Sequence, residues 1–466
     1  MSTSEAPTPP VFKAISDTGL VNLMEHEAKA IESVPIFYEA GGTWYGPDQD
    51  GFSMLKDSQA ATFVTYYGFS KSDKFSNDHG QKPVDRALLW LKQRRKVAYA
   101  GPLAGYPAGL HQCGPDRILV TEPTKLVEPK KGDFSKIKLL IESMLMDEGK
   151  KPLIQIHAFY TLAAARYNTL FDRLQNPEAA TFRFCPALAL VGPKSCGKSA
   201  LIDLVLKPLF GGRVGDPTSW LNEPKFNKDL FIAPLLVMDD KGSPPTLAIR
   251  RQRGENLKDL IWKEEQRMEG KGRDAISLRP FRWLIMACNV EDSALQILPT
   301  LTDSLADKII HILCRQAEGL PATHEENAQW VKDLRAELPA FAYFLRQFKP
   351  PKNAELNPRS RVIIYHHPGI TEKLRSMQPE MKLLGLIDHY RLWKTETMIW
   401  EGSATEFNEA MLEADEKHNV FRSMFSSLNA LGRALKELVN VAPERVEVKD
   451  HNGTSHYRIR PATTQS

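Results

Sequence analysis

The chain has 466 residues, 42% of them hydrophobic and 25% charged, and its formal net charge is +4. These values are ordinary for a globular protein with substantial cores, and the length corresponds to roughly two to four domains. A net charge this small does not by itself indicate a nucleic-acid partner. Any basic surface that binds nucleic acid must therefore be local.

The cysteines are scattered along the chain, and no two of them form a Cys-x-x-Cys pair. This pattern argues against a zinc site or a disulfide framework, and it fits a reducing, cytoplasmic compartment. No apolar run approaches the roughly 20 residues of a membrane span, so we expect no membrane partner. The cysteines are Cys113, Cys185, Cys196, Cys288 and Cys314.

The amino-terminal part of the chain predicts a disordered lead followed by an α+β domain. Residues 1–10 are polar and rich in proline, unlike a signal peptide. Within residues 11–134, aromatic residues around Gly41 predict a short β-meander, and residues 83–95 predict a helix. The basic end of that helix could contact nucleic acid or simply face solvent. We find no catalytic constellation in this domain.

Residues 135–180 show helical spacing of apolar residues and are expected to form a helical linker or collar. The next run, residues 181–191, is predicted to be a strand that leads into a glycine-containing motif. The pattern then becomes helical again over residues 200–209.

The motif between this strand and this helix reads Gly-x-x-x-x-Gly-Lys-Ser. Strand, glycine loop and helix are the context in which the pattern forms a phosphate-binding loop. Its glycines let the backbone curl, so that N–H groups and the helix dipole face the phosphates of ATP. Lys198 is expected to reach the β- and γ-phosphates, and Ser199 to bind Mg²⁺. The expected nucleotide contacts are Gly192, Pro193, Lys194, Ser195, Cys196, Gly197, Lys198, Ser199 and Ala200.

Two further apolar runs end in polar residues. Residues 229–238 lead into Asp239 and Asp240, and residues 281–288 lead into Asn289. Buried parallel strands read as continuous apolar runs, and their carboxyl ends meet at one edge of the sheet. We expect Asp239 to hold Mg²⁺, Asp240 to polarise the attacking water, and Asn289 to sense the water or the γ-phosphate.

A hairpin is predicted between these two runs. Gly270, Lys271 and Gly272 suit its tip, with Arg273 beside them, and residues 275–282 suit its second strand.

The order and compactness of these motifs resemble superfamily 3 helicases. The closest resemblance is to the helicase part of primase-helicases from phages, plasmids and mobile genetic elements, and it covers roughly residues 135–400. It implies a modified AAA+ ATPase domain, here residues 181–400, that assembles into a ring, commonly a hexamer. It also implies that Lys271, helped by Arg273, grips single-stranded DNA in the central pore. A lone lysine charge suits such sequence-blind phosphate contacts.

In this family the ATP site lies between subunits, so a basic residue of the neighbour completes it. The resemblance implies that Lys308 or Arg315 has this role. Arg250, Arg251 and Arg253 are alternatives, and each could instead form a structural ion pair.

Residues 401–466 are predicted to form a separate winged-helix domain. An amphipathic helix over residues 423–440, with Leu428 among its core residues, precedes two alternating runs joined by Asn452-Gly453. On DNA, the helix would enter the major groove and the hairpin would follow the backbone, although many winged helices bind protein instead. The expected DNA contacts are Arg433, Lys436, Lys449, His451, Arg458 and Arg460.

The leading hypothesis is an ATP-dependent replicative DNA helicase that acts in a bacterial host cytoplasm. No primase signature is present, so residues 11–134 are expected to dock a primase or polymerase, or to bind origin duplex. One alternative is an ATP-dependent origin-binding or assembly switch that does not unwind DNA. Another is a small-molecule kinase, which predicts no pore lysine, no ring and no response to DNA.

Overall fold

The computed structural model describes residues 25–77, 79–146, 153–178, 184–240, 247–272, 274–299, 301–392, 399–416, 420–425, 427–451 and 453–461. The expected disordered lead, residues 1–10, lies outside these ranges. Up to residue 134 the elements are, in order, α1 (Glu25–Glu32), β1 (Phe37–Glu39), β2 (Thr43–Asp48), β3 (Gly51–Leu55), α2 (Asp57–Tyr66), a 3₁₀ turn (Asp73–Phe75), α3 (Pro83–Arg94), β4 (Lys96–Val97), β5 (Tyr99–Gly101), β6 (Gly109–Cys113) and β7 (Asp116–Val120).

These strands form two small sheets, ordered β3-β2-β1-β4 and β5-β7-β6. Strands β1 to β3 are an antiparallel meander, as the aromatic and glycine pattern predicted. Helices α1 to α3 pack on the first sheet through a core that includes Ile31, Trp44, Val64 and Leu91. The predicted helix over residues 83–95 is α3, and it begins with Pro83, the position in a helix that tolerates a missing N–H.

The middle of the chain contains the central sheet. Its elements are α4 (Ser135–Leu145), α5 (Ile154–Gln175), β8 (Ala187–Val191), α6 (Lys198–Ala200), a π-helical segment (Leu201–Leu206), α7 (Lys207–Leu209), β9 (Val214–Gly215), α8 (Thr218–Asn222), α9 (Lys228–Ile232), β10 (Leu235–Asp239), α10 (Leu247–Trp262), β11 (Gln266–Met268), β12 (Ile276–Leu278), β13 (Trp283–Cys288), α11 (Asp292–Leu295), α12 (Asp303–Ala306), β14 (Ile309–Leu313), α13 (His324–Gln347) and α14 (Pro368–Ser376).

The five central strands are ordered β14-β8-β13-β10-β9, and every described pair is parallel. Both faces are covered, which explains the continuous apolar runs. Along β8, Leu188 and Leu190 face the core formed with α4, α5 and α13. Ala187, Ala189 and Val191 face the opposite core, which also contains residues of α8, α10 and α14.

The carboxyl-terminal part contains α15 (Pro379–Tyr390), β15 (Trp400–Ser403), α16 (Ala404–Ala414), α17 (Val420–Met424), α18 (Leu428–Val441), β16 (Val446–His451) and β17 (Thr454–Ile459). Its antiparallel sheet has the order β15-β17-β16. The helices and the sheet share a core that includes Phe407, Leu435 and Tyr457.

Several predicted boundaries were wrong. Of the strand expected over residues 181–191, residues 181–183 lie outside the described ranges, and residues 184–186 precede β8, which begins at Ala187. Strand β12 is much shorter than residues 275–282. The single helix expected over residues 423–440 is divided between α17 and α18. Leu428, expected in the core, is 43% exposed because it is the first residue of α18 and lies beyond the packed turns.

No helix among the described residues is long and apolar enough to cross a membrane.

Candidate nucleotide and nucleic-acid site

The segment between β8 and α6 is a tight loop. Gly197 has φ of +111° and Ser195 has φ of +61°, so the backbone turns through left-handed conformations before the helix begins. A Cβ on Gly192 would lie 2.6 Å from the carbonyl oxygen of Cys314, which leaves room only for glycine there. The loop therefore has the curled geometry that the sequence motif predicted.

Lys198 is held at the mouth of this loop. Its Nζ donates to the carbonyl oxygens of Gly192 at 2.8 Å and Pro193 at 2.9 Å, and it lies 3.4 Å from Oδ1 of Asn289. The ammonium group thus bridges the end of β8 and the end of β13. A bound phosphate would offer this group stronger, charge-assisted partners than the carbonyl groups that now accept its hydrogen bonds.

The strand ends carry the acidic residues to the same place. Strand β13 lies between β8 and β10, and the register pairs Asp239 with Ala287. The backbone N–H of Asn289 donates to Oδ2 of Asp240 at 3.0 Å. This hydrogen bond holds the carboxylate of Asp240 beside Asn289, whose side-chain oxygen lies near Lys198.

A cavity of about 600 Å³ opens at the carboxyl ends of these strands, where ligands bind in open parallel sheets. Its wall includes the predicted loop residues from Lys194 to Ala200, together with Asp239, Asp240 and Asn289. Gly192 and Pro193 contribute through the carbonyl groups that hold Lys198. The sequence analysis did not predict the part of the wall contributed by Leu320, Pro321, Asn327 and Trp330.

The residues proposed to act across a subunit interface lie outside this cavity. Lys308 is paired with Asp307 at 2.7 Å, lies 4.9 Å from the ring centre of Trp262, and has a side chain only 14% exposed. Arg315 follows β14 and lines a different cavity with Lys138 and Glu142. Its Nη1 lies 3.4 Å from the carbonyl oxygen of Met146.

The alternative arginines belong to helix α10. Arg253 is largely buried and donates to Oδ1 of Asn222, which is a structural contact. The side chains of Arg250 and Arg251 lie outside the described residues.

The predicted hairpin is present. Strands β11 and β12 are antiparallel, and Lys271 and Gly272 form an exposed turn between them. Arg273 lies outside the described residues.

Two side chains from outside the hairpin hold it through backbone hydrogen bonds. Asn227 donates to the carbonyl of Arg267 at 2.8 Å and accepts from the N–H of Glu269 at 2.7 Å. The hydroxyl of Tyr106 donates to the carbonyl of Arg279 and accepts from its N–H. The neighbouring Phe226 is 60% exposed. None of these three residues was singled out from the sequence as a contact of the hairpin.

The predicted DNA contacts of the carboxyl-terminal part lie on α18 and on the β16–β17 hairpin. Arg433, Lys436 and Lys449 are exposed. The charges of two others are offset, because Arg458 pairs with Glu401 and Arg460 with Glu447, each at 2.7 Å. The side chain of His451 lies outside the described residues.

The model of a family of unknown function (DUF5906) matches residues 190–299, the part that carries the glycine-containing loop, Asp239, Asp240 and Asn289. No curated protein matches the chain.

Among solved structures, the apo structure of the NrS-1 C terminal region (305-718) is similar with a TM-score of 0.51 at 13% identity, covering 94% of this chain and 98% of that chain. The structure of an SCCmec type IV Cch active helicase has a TM-score of 0.40 at 12% identity and covers 91% and 92% of the two chains. The JCV helicase has a TM-score of 0.26 at 15% identity and covers 54% and 69%. The last two are too distant to support an argument.

The chain is thus a mixed α/β protein with a parallel central sheet, and it shares its overall fold with the NrS-1 C terminal region.

Proposed function

We propose that this chain is an ATP-driven DNA helicase of the superfamily 3 type, built on a P-loop AAA+ core. The observation that carries the proposal is the meeting of Lys198, Asp240 and Asn289 at one cavity beside a phosphate loop. Its working form is a ring, expected to be a hexamer. It would serve replication of a phage, plasmid or mobile genetic element in the cytoplasm of a bacterial host.

The nucleotide would enter the cavity with its phosphates on the loop. Backbone N–H groups of the loop from Lys194 to Ala200 would donate to them, and the start of the following helix would add its positive dipole end. Lys198 would exchange the carbonyl groups of Gly192 and Pro193 for the β- and γ-phosphates. The loop would therefore already have the shape needed for phosphate, and the bound nucleotide would supply the negative charge opposite Lys198.

Hydrolysis would proceed by in-line attack of water on the γ-phosphate. Asp240 would orient and polarise that water, because Asn289 fixes its carboxylate at the mouth of the cavity. The side-chain amide of Asn289 would contact the water or the γ-phosphate. The hydroxyl of Ser199 and the carboxylate of Asp239, which both line the cavity, suit Mg²⁺ as hard oxygen ligands. The ion would neutralise phosphate charge when bound.

DNA would be gripped by the hairpin. Lys271 is exposed on a turn that contains two glycines, so its charge can contact successive phosphates without reading the sequence. Phe226 precedes Asn227, the residue that binds the hairpin. Its exposed ring would stack on a DNA base. Arg273 would assist.

A neighbouring subunit would complete the ATP site. We favour Arg315 over Lys308 as the residue in trans, since the Lys308 side chain is only 14% exposed and packs on Trp262. Arginine also offers the planar fork that suits a transferring phosphoryl group.

The carboxyl-terminal part would act as a winged helix. Arg433 and Lys436 on α18, with Lys449 on the hairpin, present positive charge to duplex DNA. Arg458 would join them only by giving up its ion pair with Glu401. The amino-terminal part would bind origin DNA or a primase or polymerase partner.

Strand displacement tests the proposal. Wild-type protein should separate the strands of a forked duplex in the presence of ATP, and the Asp240→Asn variant should not. An assembly switch would show DNA binding that depends on ATP and survives Asp240→Asn, without strand separation by either protein. A small-molecule kinase would show no response to DNA.

A further inference from the structure

Three of the cysteines surround the phosphate loop. Cys196 is part of the loop, Cys288 ends β13, and Cys314 follows β14. Strands β13 and β14 flank β8, so both of the latter residues lie beside Val191 and Gly192. The N–H of Cys314 donates to the carbonyl of Val191 at 2.6 Å, and the N–H of Gly192 donates to the carbonyl of Cys288 at 3.2 Å.

The thiol groups of Cys196 and Cys314 are neighbours and interact electrostatically. Both face the narrow gap at Gly192, where a Cβ would lie 3.1 Å from Sγ of Cys196 and 2.7 Å from Cβ of Cys314. The N–H of Ala317 also donates to the carbonyl of Cys196 at 3.0 Å. The two side chains are therefore close enough to be linked with a small movement of the loop.

The two thiols are chemically different. The neighbouring Cys314 thiol and the nearby charge of Lys198, whose Nζ is 3.6 Å from Sγ, lower the pKa of Cys196 to about 6. Burial holds the pKa of the Cys314 thiol well above its usual value. Cys196 thus favours the thiolate near neutral pH, and Cys314 is its protonated neighbour. A low-pKa thiolate beside a resolving thiol is the arrangement found at redox-sensing cysteine pairs. Cys196 is only 1% exposed, but it lines the nucleotide cavity, from which a small oxidant would reach it.

We propose that Cys196 and Cys314 form a reversible disulfide that closes the nucleotide site in response to a peroxide-class oxidant. The Cys196 thiolate attacks one oxygen of hydrogen peroxide, the O–O bond breaks, and hydroxide leaves and takes a proton from solvent to become water, so that Cys196 becomes a sulfenic acid. The Cys314 sulfur, losing its proton, then attacks the Cys196 sulfur, the S–S bond forms, and a second water leaves. Two thiols are oxidised and one peroxide is reduced, and a thiol reductant restores both groups.

The disulfide would change the loop at the place where the phosphates bind. An S–S bond of about 2.05 Å is shorter than any non-bonded thiol contact, so Cys196 must move toward the end of β14. Lys198 would lose the thiolate that now helps to hold it. Because the donors of the phosphate loop act together, such a displacement should weaken nucleotide binding. This inference rests on the proposed function only in that the cavity binds a nucleotide.

The test measures cross-linking and nucleotide binding separately. Protein is treated with hydrogen peroxide, mapped by mass spectrometry without reduction, and titrated with a fluorescent ATP analogue before and after dithiothreitol. The wild type should yield a Cys196–Cys314 peptide and bind the analogue at least tenfold more weakly, and dithiothreitol should restore the affinity. Bound nucleotide should slow the cross-link.

Matched variants identify the partner. Cys314→Ala should bind the analogue normally when reduced, form no cross-link to Cys196, and keep its affinity after the same treatment. Cys113→Ala should behave as the wild type. The proposal is overturned if the wild type forms no Cys196–Cys314 peptide, if the cross-linked protein keeps its affinity, or if Cys314→Ala loses affinity equally. Failure of the proposed function is distinct, because the reduced wild type would then not bind the analogue at all.

Discussion

Nζ of Lys198 lies 3.4 Å from Oδ1 of Asn289, although the two residues are 91 positions apart in the sequence. The contact crosses the end of the parallel sheet from the phosphate loop to the end of β13. It places the Lys198 ammonium group beside Asn289, whose backbone N–H donates to the carboxylate of Asp240. Binding of phosphate, orientation of water and sensing of the γ-phosphate would therefore be linked through one small set of hydrogen bonds.

Removing the loop cation should weaken nucleotide binding. Lys198→Ala deletes a charge-assisted contact to phosphate, a class of hydrogen bond that contributes about 1.5–3 kcal/mol. The expected result is nucleotide affinity lowered by roughly ten- to a hundredfold, measured by titration with a fluorescent ATP analogue. Lys352→Ala, at an exposed lysine far along the chain, is the control and should bind as the wild type does.

Removing the charge of Asp240 should separate binding from hydrolysis. Asp240→Asn keeps the shape of the side chain but not its capacity to polarise water. General-base contributions are about 10²- to 10⁴-fold, so steady-state ATP turnover should fall by at least a hundredfold while nucleotide affinity changes little. Turnover within a factor of three of the wild type would show that a residue other than Asp240 polarises the attacking water.

The hairpin should depend on a residue that lies far from it in the sequence. Tyr106→Phe removes the two hydrogen bonds that the hydroxyl makes with Arg279 and leaves the ring in place. Each is worth about 0.5–1.5 kcal/mol, so with both lost the DNA concentration for half-maximal ATPase stimulation should rise by roughly five- to a hundredfold with basal turnover unchanged. Tyr66→Phe, at a ring 83% exposed, is the matched control. A parallel fall in basal turnover would show a general structural effect instead.

Subunit mixing tests the residue in trans. If Arg315 completes the neighbour's site, Lys198→Ala and Arg315→Ala are each inactive alone for different reasons. Mixed rings should contain interfaces with an intact Lys198 and an intact Arg315, and ATP turnover should recover in the mixture. If ATP turnover does not recover at any ratio, although light scattering shows that rings assemble, Arg315 does not complete the neighbour's ATP site.

Stability should fall on acidification because of a buried histidine. His311 lies in β14 with no exposed surface, and burial, with the nearby His366, lowers its pKa from 6.5 to about 3. Between these two values the unfolded chain binds one more proton than the folded chain. The free energy of unfolding should therefore fall by up to about 1.4 kcal/mol per pH unit as the pH drops below about 6.5.

Denaturant titrations at several pH values measure this slope. His311→Leu should flatten it over the same window, whereas His324→Ala, at an exposed position, should leave it unchanged. An unchanged slope in His311→Leu would assign the acid sensitivity to other groups, such as His366, whose pKa is also lowered by burial.

The parts of the site that lie within one strand and the following loop were predictable from the sequence. The phosphate loop, the strand ending at Asp239 and the hairpin below Lys271 each follow from local spacing, since apolar runs and glycines determine local geometry. Tyr106, Asn227 and Trp330 were not predictable as site residues. Each meets the site through packing between distant segments, and a tyrosine or tryptophan in an ordinary context gives no local sign of its partner.

The predicted boundaries failed where local patterns compete with tertiary structure. Residues 184–186 are apolar enough for a strand, but β14, the neighbour of β8, pairs only from Ala187 onward. Similarly, β12 ends at Leu278, and Arg279 is then held by the hydroxyl of Tyr106 rather than by the hairpin partner. Strand pairing thus sets these limits, and pairing partners far apart in the chain are not visible in a single sequence.

The most direct test of the central claim is steady-state ATP turnover with and without single-stranded DNA, with particle size measured on the same sample. The account predicts a ring whose turnover rises with DNA, and a Lys271→Ala variant that keeps basal turnover and ring size but loses the stimulation. Lys382→Ala, at an exposed lysine of α15, should respond as the wild type does. Turnover that ignores DNA, in a particle that remains monomeric at micromolar concentration, would contradict the account.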